Sequence, residues 1–331
     1  MNHPSSQRRL LRPAPVVILF ICIALLIVIA DRAPLHLDKR DPARPVESDF
    51  YLHYHSVLDR SIGGPYAYRV LVPWVTALIH RALPSFTELD IDAFLKALVL
   101  VFVQLTFFRA QRRFFTPWIA LAGTLWMDLL VGYALVYVQG PASGETTDLA
   151  NLLVFILALD MMPDRRTGSL AALFLIGMLN RETPLLLLPL VYAIDRSEKH
   201  GVARSASLAL GSIAVYVGLR LAIQTTSGGW FTTQGLAMNL PGYEPGMAGN
   251  AFKSIIHVLL LLGPLFGFAA MRFSRLSLLF RGSILIAGLL VIIHFIVATV
   301  IESRLWMPEF ALLIPPSLFN LQEILDPRDT L

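Results

Sequence analysis

Apolar runs long enough to cross or nearly cross a bilayer recur through the 331-residue chain, near 16–30, 91–108, 117–138, 148–162, 168–179, 183–194, 204–223, 252–271, 282–300 and 305–321. Within hydrocarbon a single segment satisfies its backbone N–H and C=O groups only as a helix. The runs therefore predict an all-α, polytopic transmembrane bundle of about ten membrane helices. A chain that is 56% hydrophobic and only 15% charged has too much apolar surface for a soluble domain of this size. The expectation is one integral membrane domain over 1–331, with no separate soluble domain and no repeat evident in the sequence.

The formal charge of +4 is not a nucleic-acid signal, because the basic residues punctuate the connections between apolar runs. Arg8, Arg9 and Arg12 precede the first run, and Cys22, the single cysteine, lies inside it, so no internal disulfide forms. Val28 and Ala30 suit a signal-peptide cleavage site; an uncleaved first helix is the preferred expectation. With the N-terminus in the cytoplasm, the inner connections hold Arg109, Arg112, Arg113, Arg165, Arg166, Arg196, Lys199, Arg204, Arg272, Arg275, Arg281 and Arg328. The outer connections 139–147 and 224–250 hold no Lys or Arg. This positive-inside bias predicts cytoplasmic N- and C-termini, and the compact, Arg-punctuated layout suggests a bacterial inner membrane.

Tyr68–Leu83 is short and bracketed by Arg69, His80 and Arg81. If it spanned, every later helix would flip, so it is expected to lie on the outer surface with Trp74 at headgroup depth. The outer loop 31–90, with its interfacial helices, is then the largest extramembrane piece. Ser48 is positioned to cap a helix over 49–60, which Gly63-Gly64-Pro65 would end.

The stretch GMLNRETPLLLLP (177–189) sets Asn180, Arg181 and Glu182 between two apolar legs. Each leg of about 12 residues is only about 18 Å long as a helix, against a hydrocarbon core of about 30 Å. The apex is therefore expected below the outer surface, in a wet cavity or packed in protein, where charges are costly.

Further charged residues fall on the same predicted side. The first outer loop offers Glu47, Asp49, His53, His55, Asp59 and Arg69 among tyrosines. Glu145 and Asp148 stand at the mouth of the fourth helix, and Glu302 and Arg304 at the turn before the last. No comparable carboxylate set is evident at the cytoplasmic face. Buried guanidiniums suit a lipid phosphate. A nearby carboxylate suits a general base acting on a hydroxyl or amine, and aromatic rings suit a sugar face or a prenyl chain. Sugar transfer from a polyprenyl phosphate needs all three.

In its layout the chain resembles the GT-C superfamily of integral-membrane glycosyltransferases. The resemblance rests on Asp49 in a long loop after the first helix, on PYAYRVLVPWVTALI with its arginine and proline, on FFRAQRRF at the end of the second helix, and on the charged apex of LFLIGMLNRETPLLLLPLVYAI. It covers the order of most of the chain. It implies a polyprenyl-phosphate lipid donor, an acceptor yet to be named, Asp49 as base with Glu47 as runner-up, and Arg69, Arg181 and Arg304 on the donor phosphate. Glu182, Glu302, Asp148 and His53 would support them. Where many relatives carry paired acidic residues, Ser48 separates Glu47 from Asp49. No cofactor is required; Asp49, His53 and His55 are the candidate ligands should a divalent metal bind.

Structural readings stand beside these. Asp49 suits a helix N-terminus, Arg69 and Arg220 suit snorkelling to headgroups, and Asp148 suits a helix cap. Arg181 and Glu182 suit a mutual ion pair. Asp128, His257 and His294 suit contacts between helices. The same charges also suit a transporter or flippase for a lipid-linked or anionic substrate, or a non-catalytic envelope subunit. No phosphate loop, zinc spacing or nucleophile-elbow motif is present.

Overall fold

A computed structural model describes residues 13–32, 54–60, 68–136, 145–223, 248–297 and 303–325. Those residues form a helical bundle: α1 (Pro13–Arg32), α2 (Leu71–Ala82), α3 (Glu88–Gln111), α4 (Pro117–Val136), α5 (Glu145–Met161), α6 (Thr167–Asn180), α7 (Leu188–Asp195), α8 (Gly201–Ala222), α9 (Ala248–Ala270), α10 (Leu278–Val297) and α11 (Met307–Leu325). Short 3-10 turns, Thr183–Leu187 and Ser303–Trp306, lead into α7 and α11. Five helices, α1, α3, α4, α8 and α10, are long and apolar enough to cross a membrane. This is the architecture of a multi-pass helical membrane protein.

Local chemistry sets the boundaries. The apolar run that begins near 91 starts as a helix at Glu88, because the Thr87 hydroxyl accepts from the Asp90 N–H while the Asp90 carboxylate accepts from the Thr87 N–H. Tyr68–Leu83 yields the 12-residue α2, too short to span; it exposes Trp74 and Leu78 and buries Pro73 and Thr76. Within the expected 49–60 helix, residues 54–58 are helical.

The helices α5 and α11 occupy the centre. Leu149, Leu152, Phe155 and Ile156 of α5 are buried, as is every α11 residue from Met307 to Ile314. Protein packed around them lets these two helices bury polar groups such as Asp148, Asn151, Glu309 and Asn320. Asn320 of α11 donates to the carbonyls of Phe268 and Ala269 at the end of α9. Two of the carbonyls that a helix C-terminus exposes are thereby satisfied.

At the end of the bundle carrying residues 109–116 and 162–166, acids meet the arginines. Arg109 and Arg113 both pair with the fully buried Asp160, Arg113 also holds Asp164 at 2.7 Å, and Arg165 pairs with Glu198. This corrects the expectation of simple arginine punctuation there. The carboxylates were present in the sequence, but their partners lie far along the chain. The Arg113 hydrogen bond holds the Asp164 carboxyl below its usual range, and the Arg113 guanidinium is correspondingly raised.

One register recurs. Arg109 and Asp160 join the C-terminal ends of α3 and α5 across 51 residues, and Arg272 joins Glu323 at the ends of α9 and α11 across the same 51. Each pair brings two helix ends together, so α3 runs beside α5 in the same direction, as α9 does beside α11.

Candidate functional site

The hairpin apex is held against the first turns of α5 by three contacts in near-constant register. Asn180 Nδ2 donates to the Thr147 carbonyl at 2.8 Å, Arg181 Nη1 pairs with Asp148 Oδ1, and Thr183 Oγ1 donates to Asn151 Oδ1 at 3.0 Å. Gly177 makes this approach possible: a Cβ there would lie 3.1 Å from Val154 Cγ1 and 3.3 Å from Pro184 Cγ. Asn180 is fully buried and Arg181 nearly so, so the apex is packed in protein, one of its two expected settings.

Arg181 and Glu182 do not pair with each other. The chain leaves α6 at Arg181 in an extended conformation, φ −157°, and turns back to helical values at Glu182, φ −77°. Arg181 reaches Asp148, whereas Glu182 Oε2 lies 3.7 Å from Arg220 Nη2 on α8. Asp148 is more than a helix cap. Its second oxygen faces Arg304 Nε at 3.5 Å, from the turn before α11. One buried carboxylate thus gathers two guanidiniums from segments that lie far apart in sequence. Among the described residues Arg181 Nε has no hydrogen-bond partner.

This arrangement fixes what the groups can do. Asp148 is engaged on both oxygens by cations, so it orients them and does not serve as a free base. Two guanidiniums set around one carboxylate, with Arg181 Nε unpartnered among the described residues, form an arrangement that suits an anion. An uncompensated cation at this burial would be costly, which is why Asp148 is needed when no anion is bound.

Arg220 departs from the snorkelling expectation. Its side chain is 2% exposed and lies over the Tyr216 ring at 3.5 Å and the Tyr68 ring at 4.4 Å. Tyr68 and Val70, from the segment before α2, pack with Val57 and Ile223 in a small apolar cluster at this end. The available signal was Tyr216 one helical turn before Arg220 in an apolar helix. Arg69 lies half-buried between Tyr68 and Val70. His55 Nε2 is 3.4 Å from Glu88 Oε2. Burial, with Glu88 nearby, pushes the Tyr54 phenol up to about 12.

Two further polar contacts tie helices together; His294 was expected to contact a neighbouring helix, but its partner and the Lys96–Asp31 pair were not read from sequence. His294 Nδ1 lies 3.0 Å from Oε1 of the fully buried Glu309, with the Trp306 ring edge-on to the imidazole. Lys96 Nζ holds Asp31 at 2.6 Å, joining α3 to the end of α1. Asp49, Glu47, His53 and Glu302 lie outside the described residues. Among the described residues no three His, Cys, Asp or Glu side chains are grouped to hold a metal.

No protein-family model, curated protein or solved structure matches the chain.

Proposed function

We propose that the chain is a membrane glycosyltransferase of the GT-C type, taking a sugar from a polyprenyl-phosphate donor at the outer face of a bacterial inner membrane. In this reading about ten helices embed in the bilayer with both termini cytoplasmic. Asp49, with Glu47 as second choice, removes the proton of an acceptor hydroxyl or amine. The acceptor attacks the sugar's anomeric carbon, the carbon–oxygen bond to phosphate breaks with inversion, and polyprenyl phosphate leaves with the electron pair. Arg69, Arg181 and Arg304 stabilise the charge on that phosphate, Asp148 positions two of them, and Glu182, Glu302 and His53 support the site.

The observation that supports this reading most is the convergence of Arg181 and Arg304 on Asp148. The test is transfer from a radiolabelled polyprenyl-phosphate sugar by the reconstituted protein. The Asp49→Asn variant is expected to lose about 100-fold or more in rate. Full activity in that variant would remove Asp49 as base.

A second reading, a transporter for a lipid-linked or anionic substrate, draws support from the buried His294–Glu309 pair between α10 and α11. Flux of labelled donor across proteoliposomes without sugar transfer would favour it.

A further inference from the structure

The interaction between Arg220 and Glu182 is loose where the neighbouring Arg181–Asp148 pair is close. Arg220 Nη2 stands 3.7 Å from Glu182 Oε2, beyond hydrogen-bond reach. Among the described residues, Arg220 Nε and Nη2 have no hydrogen-bond partner. Nη1 makes only a 3.5 Å contact to the carbonyl of Tyr216, one turn back. The guanidinium is held by ring faces, which fix its plane and leave its donating edge unsatisfied. Glu182 is 30% exposed and Arg220 is 2% exposed, so the carboxylate is the accessible member of the pair. Glu182 follows Arg181 directly, so the two ion pairs flank one apex with Cα atoms about 3.8 Å apart.

We propose that Arg220 is a further phosphate-binding residue, and that the Glu182 carboxylate, which faces its donating edge without bonding it, gives way to a phosphate ester. The proposal rests on the reading of the site as a lipid-phosphate site and adds a fourth guanidinium to it. Two rings preorganise Arg220 for bidentate contact, so the arriving phosphate orders little side chain. The displaced Glu182 carboxylate returns to solvent at its exposed side.

The test is equilibrium binding of labelled polyprenyl phosphate to the full chain in phosphatidylcholine nanodiscs. Glu182→Gln removes the competing carboxylate and is expected to tighten binding about threefold to tenfold. Arg220→Gln is expected to weaken it about tenfold, and Arg220→Lys, which keeps charge but loses the planar fork, to weaken it by an intermediate factor. In Glu182→Gln/Arg220→Gln the gain should vanish; a general gain in positive charge would persist. Unchanged or weaker binding by Glu182→Gln in folded protein, or a gain that survives loss of Arg220, overturns the proposal. Wild type that binds, with Arg304→Ala weakened but both Arg220 variants unchanged, overturns it while sparing the parent reading. Wild type that binds no polyprenyl phosphate overturns both. Competition by inorganic phosphate or phosphatidylglycerol as effective as by unlabelled polyprenyl phosphate overturns the assignment to a lipid donor.

Discussion

The Arg181 guanidinium and the Asp148 carboxylate form an ion pair buried on both sides, with 7% and 4% of their side chains exposed. It ties the apex of the α6 hairpin to the first turn of α5. Arg304 joins it from the turn before α11. The strongest stability effects should follow from breaking this group asymmetrically.

Asp148→Ala leaves the buried Arg181 guanidinium without its carboxylate. The expected cost is about 3–5 kcal/mol, read as denaturant unfolding in detergent. Asp148→Ala/Arg181→Met should recover a large part of it, and a cost near zero for Asp148→Ala would mean that the pair is not buried as described.

Glycine positions separate close approach from open surface. Gly177→Ala places a methyl 3.1 Å from Val154 Cγ1 and should cost about 1–3 kcal/mol. Gly211→Ala on α8 meets nothing within 4 Å and should be neutral or stabilising by about 0.5–1 kcal/mol. Parallel thermal melts compare the two; equal losses would contradict the packing of α6 on α5.

Removing Glu309 or His294 alone leaves the partner buried and unpaired. Each single leucine variant should cost roughly 2–3 kcal/mol, and the double variant less than the two added together. Additive losses in a double-mutant cycle would show that the two do not interact.

Asp164 contributes a pH-dependent stabilisation at the arginine-rich end. Its folded pKa is depressed, first by the Arg113 hydrogen bond. The stabilisation is therefore present above the unfolded value of about 3.9 and is lost as pH falls through the lower folded value. Wild type should melt higher than Asp164→Asn at neutral pH, and the gap should close in acid. A gap that widens in acid would reverse the assigned sign.

Helix positions were legible because apolar run length and turn residues are local properties. The runs at 168–179 and 183–194 became Thr167–Asn180 and the Thr183–Asp195 leg, and Asn180-Arg181-Glu182 marked the apex. Charge partners were not legible. Arg181 and Glu182 are neighbours in sequence, yet the change from extended to helical backbone between them sends one to α5 and the other to α8. Arg109 finds Asp160 only because α3 and α5 run side by side, which no local window contains. Arg220 was discounted because an arginine near a helix end usually reaches water; two tyrosines from different segments hold it inside.

The central claim is that Arg181 and Arg304 converge on Asp148 to hold a donor phosphate. It is tested most directly by binding of a radiolabelled polyprenyl-phosphate sugar to the purified protein, wild type beside Arg181→Ala and Arg304→Ala. The account predicts saturable binding by wild type and a loss of about tenfold or more in both variants. Binding that neither substitution weakens would make these arginines a structural clasp and contradict the account.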